Sequence, residues 1–450
     1  MKKRVVSAML VLAMTASMFA GCKKSDESQN NSAQNASSKG SVYYLNFKPE
    51  VDAQWQEIAK EYTDETGVDV KVVTAASNQY ETTLKSEIAG SKAPTLFQIN
   101  GPIGYESWKN YCLDLTDTEL YANMIDQNMA IKGEDGGVYG IPYTVEAYGI
   151  IYNNAIMEKY FAMDDAVVKS VDAIDSYDKL KEVVEDMTKK KDKLGIEGVF
   201  ASTSLAPGED WRWQTHLANL PIHYEYEDNQ VKNMDKIEFK YDKNYKNVLD
   251  LYMDNSVSAR GLLGSVDVAS SMAEFALGQC AMVQNGNWAW SQISEVEGNT
   301  VKEEDIKFMP IYCGVNDKEQ GLCIGTENYW CINKESSKED IQATKDFLNW
   351  LTTDTKGKKY MYESVEKGGV GNAAPFSTFS EDERSEDPLS VEMYKWMDKG
   401  NSIEWNFTTF PSQKFKEDFG AALLQYANGK MDWDAVKKQV VQEWASEKGK

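Results

Sequence analysis

VYGIPYTVEAYGIIYN, residues 138–153, decides the architecture of this chain. It is rich in aromatic and β-branched residues, carries no helix-stop signal and reads as extended chain. Upstream, strands and helices alternate. Ser41–Phe47 (SVYYLNF) reads as a buried strand, and Asp52–Thr66 spaces Trp55, Ile58, Ala59 and Tyr62 as one helix face. Gly67 stops that helix. Residues 68–73 (VDVKVV) alternate as a strand, 80–89 form a second helix, and 94–99 (PTLFQI) form a third strand. This order predicts an α/β lobe on a largely parallel sheet, with a second lobe beginning near Val138–Asn153. Ligands of such sheets gather at the carboxyl ends of strands. Lys48 and Asn100 stand at two such ends and are candidate ligand contacts.

Downstream, helices are expected over 176–189, 245–255, 267–277, 341–351 and 421–428. Val199–Leu220 passes from a strand through Pro207-Gly208 into an aromatic helix start, and Ala281–Asn285 is a short strand that leads to Gly286-Asn287-Trp288. No internal repeat is visible.

The N-terminus carries Lys2, Lys3 and Arg4, a 16-residue apolar run (Val5–Ala20), then Gly21-Cys22. The run is shorter than the roughly 20 residues of a spanning helix. Its layout is that of a lipoprotein signal over residues 1–21, with Cys22 acylated and exposed by cleavage. A cleaved secretory peptide and an uncleaved anchor are the other two readings. Residues 23–40 (KKSDESQNNSAQNASSKG) bury too little apolar surface to fold. Residues 22–40 are therefore expected to be a lipidated cysteine and a tether of about 20–25 Å.

Net charge is −23, and loss of the three N-terminal basic residues makes it more negative. Nucleic acid is disfavoured as a partner, because phosphate binding needs a basic footprint. Six cysteines and two histidines, His216 and His223, leave zinc sites and histidine chemistry without support. With Cys22 acylated, Cys112, Cys280, Cys313, Cys323 and Cys331 are expected to be buried thiols. A bridge among the last three is the alternative.

Several strings resemble the extracellular solute-binding proteins of bacterial ABC transporters, in the family that includes maltose-binding protein. Ala93-Pro94-Thr95-Leu96-Phe97 is similar to a family strand, with Thr95 where Asp is usual. Tyr139-Gly140-Ile141-Pro142 through Tyr152-Asn153 resembles its crossover between lobes. Phe275 to Met282, with Asn285-Gly286-Asn287-Trp288, resembles its F-x-x-G-x-x-AM and NG-x-W block, and Phe347 to Thr352 a late helix. The match spans about residues 41–440. The resemblance implies a two-lobed α/β, periplasmic-binding-protein-like fold of type II. Lobe 1 would hold 41–145 and 312–370, and lobe 2 would hold 146–311 and 371–450. Crossings are expected near Met309-Pro310 and Gly368–Gly371.

It also implies a monomeric, lipid-anchored receptor. That receptor would capture a carbohydrate by hinge closure and pass it unaltered to an ABC permease, with no cofactor, metal or catalytic residue. Trp288 matches the stacking tryptophan of the maltose-binding branch, and Glu146 a ligand-contacting carboxylate. A sugar presents an apolar face to an aromatic plate and a rim of hydroxyls to fixed polar groups. A core position remains the other reading of Trp288, and a hinge ion pair that of Glu146. Trp211 and Trp213 follow the Pro-Gly loop; one should face the cleft, with Trp211 favoured, and the other pack inward. Tyr143 lines the cleft or covers the hinge. The WxxDR run of the maltose-binding branch is absent, since Gln98-Ile99-Asn100-Gly101-Pro102 stands in its place. Trp405, Phe407 and Phe410 do not align with that branch's late aromatic. A surface glycoside hydrolase, needing two carboxylates at a set spacing, and the same fold binding a peptide, polyamine or metal are the competing functions.

Overall fold

Strand β6 (Glu146–Asn153) is buried at all eight positions. A strand covered on both faces reads as a continuous apolar run, and AYGIIY is such a run. The computed structural model describes residues 39–76 and 79–449. The expected signal segment, Cys22 and all but the end of the tether lie outside the described residues.

Two sheets organise the chain. The first has six strands in the order β2 (Asp69–Thr74), β1 (Ser41–Asn46), β3 (Leu96–Asn100), β10 (Asn328–Ile332), β5 (Val138–Pro142), β4 (Ile131–Lys132). The second runs β11 (Ser402–Glu404), β9 (Leu322–Gly325), β6, β7 (Met282–Gly286), with β8 (Ile306–Met309) also on β6. Pairing of β1 with β2 and β3 is parallel, but β10 runs antiparallel to both its neighbours, β3 and β5. The expected largely parallel sheet is thus mixed. The reason is that β10 returns from the second sheet and runs back against β3.

Alternation puts each strand's residues into two cores. Tyr44, Leu96 and Trp330 face one side of the first sheet, while Leu45, Phe97 and Cys331 face the other. In the second sheet Tyr148, Ile150 and Met282 face one core, and Ala147, Ile151 and Val283 the other. Helices cover these faces. Helix α1 (Asp52–Thr66) buries Trp55, Ile58, Ala59 and Tyr62, and ends where Gly67 takes φ 70° and donates to Thr63 O. Helix α2 (Tyr80–Ile88) covers the opposite face, and α3 (Gly101–Trp108) springs directly from β3. The terminal helix pair begins at Gln413 rather than 421.

The chain leaves the first sheet after Pro142 and enters the second at Glu146. The return passage falls between Gly325 and Asn328, later than the expected Met309-Pro310, because Cys323 and Ile324 pair with β6 and β11. Tyr312, Cys313 and Cys323 pack in a core of the second sheet. Beyond Gly371, Ala373 bridges Val145 and packs with Ala147 of the second sheet, while Phe376 bridges Met124 and is buried in the core with Trp330. All five described cysteines are buried free thiols, so the alternative bridge among Cys313, Cys323 and Cys331 is not formed. No described helix is long and apolar enough to cross a membrane.

Candidate ligand cleft

Lys48 and Glu146 were separate candidates in the sequence, and the fold joins them. After β1, the Asn46 side chain turns the backbone. Its Nδ2 donates to Lys48 O at 2.8 Å, and its Oδ1 accepts from Lys48 N–H at 3.1 Å. Lys48 Nζ then meets Glu146 Oε1 at 2.5 Å, with Glu50 Oε1 at 3.8 Å. Both members of the close pair are buried. Burial pulls the Lys48 ammonium down, but Glu146 and Glu50 outweigh it and hold its pKa above the usual lysine value. Glu146 is thus held in an ion pair at the start of β6. Its second oxygen, Oε2, accepts no hydrogen bond from the described residues.

Trp288 is placed by its neighbours. Asn287 N–H donates to Ala147 O at 2.9 Å, Asn287 Oδ1 accepts from Ala147 N–H at 3.0 Å, and its Nδ2 donates to Ser390 Oγ at 2.9 Å. These bonds clamp the end of β7 beside the start of β6. The Trp288 ring folds across Gly286, where a Cβ would lie 2.1 Å from ring carbons. Only glycine allows that approach. The ring remains half-buried, with Lys48 Nζ 5.3 Å from its centre.

Trp211 opens a π-helical turn, Arg212–Leu217, a rare form common at functional sites. Its half-buried ring lies 6.0 Å from Trp288 and 4.8 Å, edge-on, from His216. Trp213 turns away. It is 1% exposed, packs 5.6 Å from Tyr252, and its Nε1 donates to Thr203 O. It belongs to the core and not to the cleft, because two helical steps reverse its face.

His216 and the late aromatics complete the wall. His216 stacks on Tyr148 at 4.0 Å and 3°, and lies 5.7 Å from Trp288, 6.1 Å from Trp405 and 5.4 Å from Phe407. Trp405 packs on Gly325, where a Cβ would be 2.5 Å from its Cγ. So Trp405 and Phe407, which failed to align in sequence, join the site by position. Burial first, then Arg212, Lys416 and Lys48, hold the His216 pKa far below the usual histidine range, so its ring is neutral at pH 7.

Polar atoms at the end of the first sheet are left open as well. Asn100 ends β3 without capping α3, and its Oδ1 is buried and unpartnered, as are Thr326 Oγ1 and Asn328 Oδ1. Asn100 pairs in register with Asn328. On the aromatic side, His216 Nδ1 and Trp405 Nε1 are also buried without protein partners. Buried polar atoms are nearly always bonded, so a cluster left open marks groups awaiting a ligand or solvent. Tyr143 is 1% exposed and packs edge-on against Trp330 at 5.1 Å. It covers the hinge. It also borders, with Lys48, Glu146, Asn287 and Trp288, a cavity of about 40 Å³, far below the 300–1,000 Å³ of a ligand pocket. The lobes touch nearby: a Cβ on Gly101 (φ 58°) would lie 3.5 Å from the Thr408 side chain, and Gly101 N–H donates to Glu327 O. Among the described residues no group of three or more His, Cys, Asp or Glu could hold a metal ion.

A multiple sugar-binding protein of Streptococcus mutans is 22% identical over 370 residues, covering 78% of this chain and 79% of that protein. Among solved structures, a chitin oligosaccharide binding protein superposes with TM-score 0.68 at 16% identity, covering 91% of this chain and 98% of its own. RafE in complex with raffinose also gives 0.68, at 18% identity, with 91% and 99% coverage. These likenesses establish the two-lobed fold. A sequence model described as bacterial extracellular solute-binding protein matches residues 57–388. Those residues include β6, Trp211, His216, Trp288 and both sheets' central strands, and the chain belongs to the bacterial extracellular solute-binding proteins.

Proposed function

We propose that this protein is a receptor that captures a carbohydrate between its lobes and delivers it, unaltered, to an ABC permease. The carrying observation is the pairing of the Trp211–Trp288–His216–Trp405 wall with the unpartnered rim of Asn100, Thr326 and Asn328. The wall suits the C–H face of a sugar ring, and the rim suits its hydroxyls. The name of the S. mutans relative, a multiple sugar-binding protein, agrees with this reading. Glu146 accepts a ligand hydroxyl on its second oxygen while Lys48 engages the first. The lobes close at Gly101 and Thr408, because bound sugar contacts both walls only in that form. Cys22 is the lipid attachment point, and residues 23–40 are the tether.

A thermal-shift screen tests this. At a hundredfold excess over Kd a ligand adds about 2.7 kcal/mol of stability. One class of oligosaccharide should raise Tm by several degrees, whereas amines and metal ions should not. Chromatography of the same mixtures after hours should show no cleaved product. Cleavage would establish a hydrolase instead.

A further inference from the structure

The fold normally pairs its sheltered cations. Lys190 has Asp186 at 2.6 Å, Lys358 has Glu383 at 2.8 Å, and Arg260 has Asp250 and Asp254 at 2.8 Å. In the cleft, Lys48 has Glu146. Among the described residues, two buried cations break the pattern. Arg212 is 2% exposed, yet its guanidinium makes one hydrogen bond, from Nη2 to Asn285 Oδ1 at 3.3 Å, and its Nε and Nη1 have no partner. It lies under the Trp211 ring, Cζ 3.8 Å from the ring centre. Lys416 is 8% exposed and reaches over the Phe407 ring at 5.6 Å. Its Nζ makes no hydrogen bond or ion pair with the described residues.

Both cations flank His216, whose ring lies 4.8 Å from the Trp211 ring that covers Arg212 and 5.4 Å from the Phe407 ring under Lys416. Glu209 acts on Arg212 and Glu327 on Lys416, but neither acid bonds to either cation, and burial raises the Glu327 pKa. An unpaired buried charge is costly, so a counter-charge brought by a ligand would stabilise both cations. In a chain of net charge −23, a cationic cleft face runs against the background.

We infer that the carbohydrate bears a carboxylate, as a uronic acid does, and that this group docks on the face formed by Lys416, His216 and Arg212. The inference rests on the receptor reading above and narrows its ligand class. A guanidinium gives a carboxylate two parallel hydrogen bonds, and an ammonium adds a third charged donor. Neutral His216 adds an Nδ1 that no protein group uses.

Titration calorimetry on the chain from residue 23 tests it. The probes are galacturonate di- and trisaccharides, a glucuronate-bearing xylotriose, and the same compounds with each carboxyl reduced to hydroxymethyl. At least one acid should bind about tenfold or more tighter than its reduced partner, and less tightly as salt rises. Lys416→Gln should remove most of that preference, weakening the acid by a much larger factor than its reduced partner. Arg212→Gln should do the same. If it fails to fold, Arg212→Lys keeps the charge and should retain part of the preference. Equal or better binding of the reduced compounds overturns the inference, as does an unaltered preference in Lys416→Gln. Binding of neutral oligosaccharides alone also overturns it, and leaves the receptor reading standing. If no carbohydrate of either charge binds, both fall.

Discussion

At the scale of single residues, burial decides how each side chain can be used. Trp288 is half-buried, anchored by Asn287 beneath it and open above. Trp288→Ala should lower affinity for the ligand by about tenfold or more, about 1.4 kcal/mol, with an unchanged circular dichroism spectrum. Unchanged affinity by calorimetry would remove Trp288 from the site. Asp387 offers a pH test. It caps the helix Pro388–Asp398, accepting from Leu389 and Ser390 N–H, and burial pushes its pKa up to about 8 against those two bonds. An unfolded Asp titrates near about 4. Between these values the folded state keeps a proton that the unfolded state has shed. The stability this proton provides is therefore present below about pH 4 and lost as pH rises towards 8. Asp387→Asn keeps a capping oxygen and has no charge to bury. Its stability relative to wild type should climb from pH 4 to 8 and level off above, as read from urea midpoints. A difference that is flat across that range would refute the buried-acid assignment.

At the scale of elements, β6 carries most of the organisation. Its first residue is the hinge carboxylate, its second clamps Asn287, and its third, Tyr148, seats His216. A glycine at the facing strand end permits the arrangement. Gly286→Ala places a methyl where the Trp288 ring lies, so the ring must move while the β6–β7 hydrogen bonds remain. Its binding defect should match that of Trp288→Ala within a factor of about three, with tryptophan fluorescence shifted. Wild-type affinity would show that the ring adapts and that the glycine is incidental. The π-turn is the other decisive element. It sends Trp211 to the cleft and Trp213 to the core, and the Pro-Gly loop before it signals only that a helix begins.

For the whole molecule, function is a matter of two lobes meeting. The start of α3 and the turn Asn406–Thr409 come together where Gly101 adopts φ 58°. Gly101→Val adds a branched side chain against Thr408 in a backbone region that costs about 1–2 kcal/mol for non-glycine residues. It should hold the lobes apart. Ligand affinity should drop by about tenfold or more, and X-ray scattering should show less ligand-induced compaction than in wild type. Normal compaction at saturating ligand would mean that closure does not use this contact.

Strand and helix identities could be read from the chain because periodicity and turn chemistry are local: VYGIPY and EAYGIIY are extended wherever they are placed, and Gly67 ends a helix by its own backbone freedom. Trp288, Lys48 and Glu146 were visible as candidates for the same reason. Their meeting was not, since 98 residues separate the ion-paired side chains. His216 was dismissed for metal and catalysis and carries no local mark of a role. Trp405 sits in the site through Gly325, and Lys416 through a helix whose start the sequence hid. Which strand lies beside which, and in what register, is fixed by long-range burial of both sheet faces. That packing brings residues from Lys48 to Lys416 around the proposed cleft, so the amino-acid order determined the parts and only the tertiary structure decided how they meet.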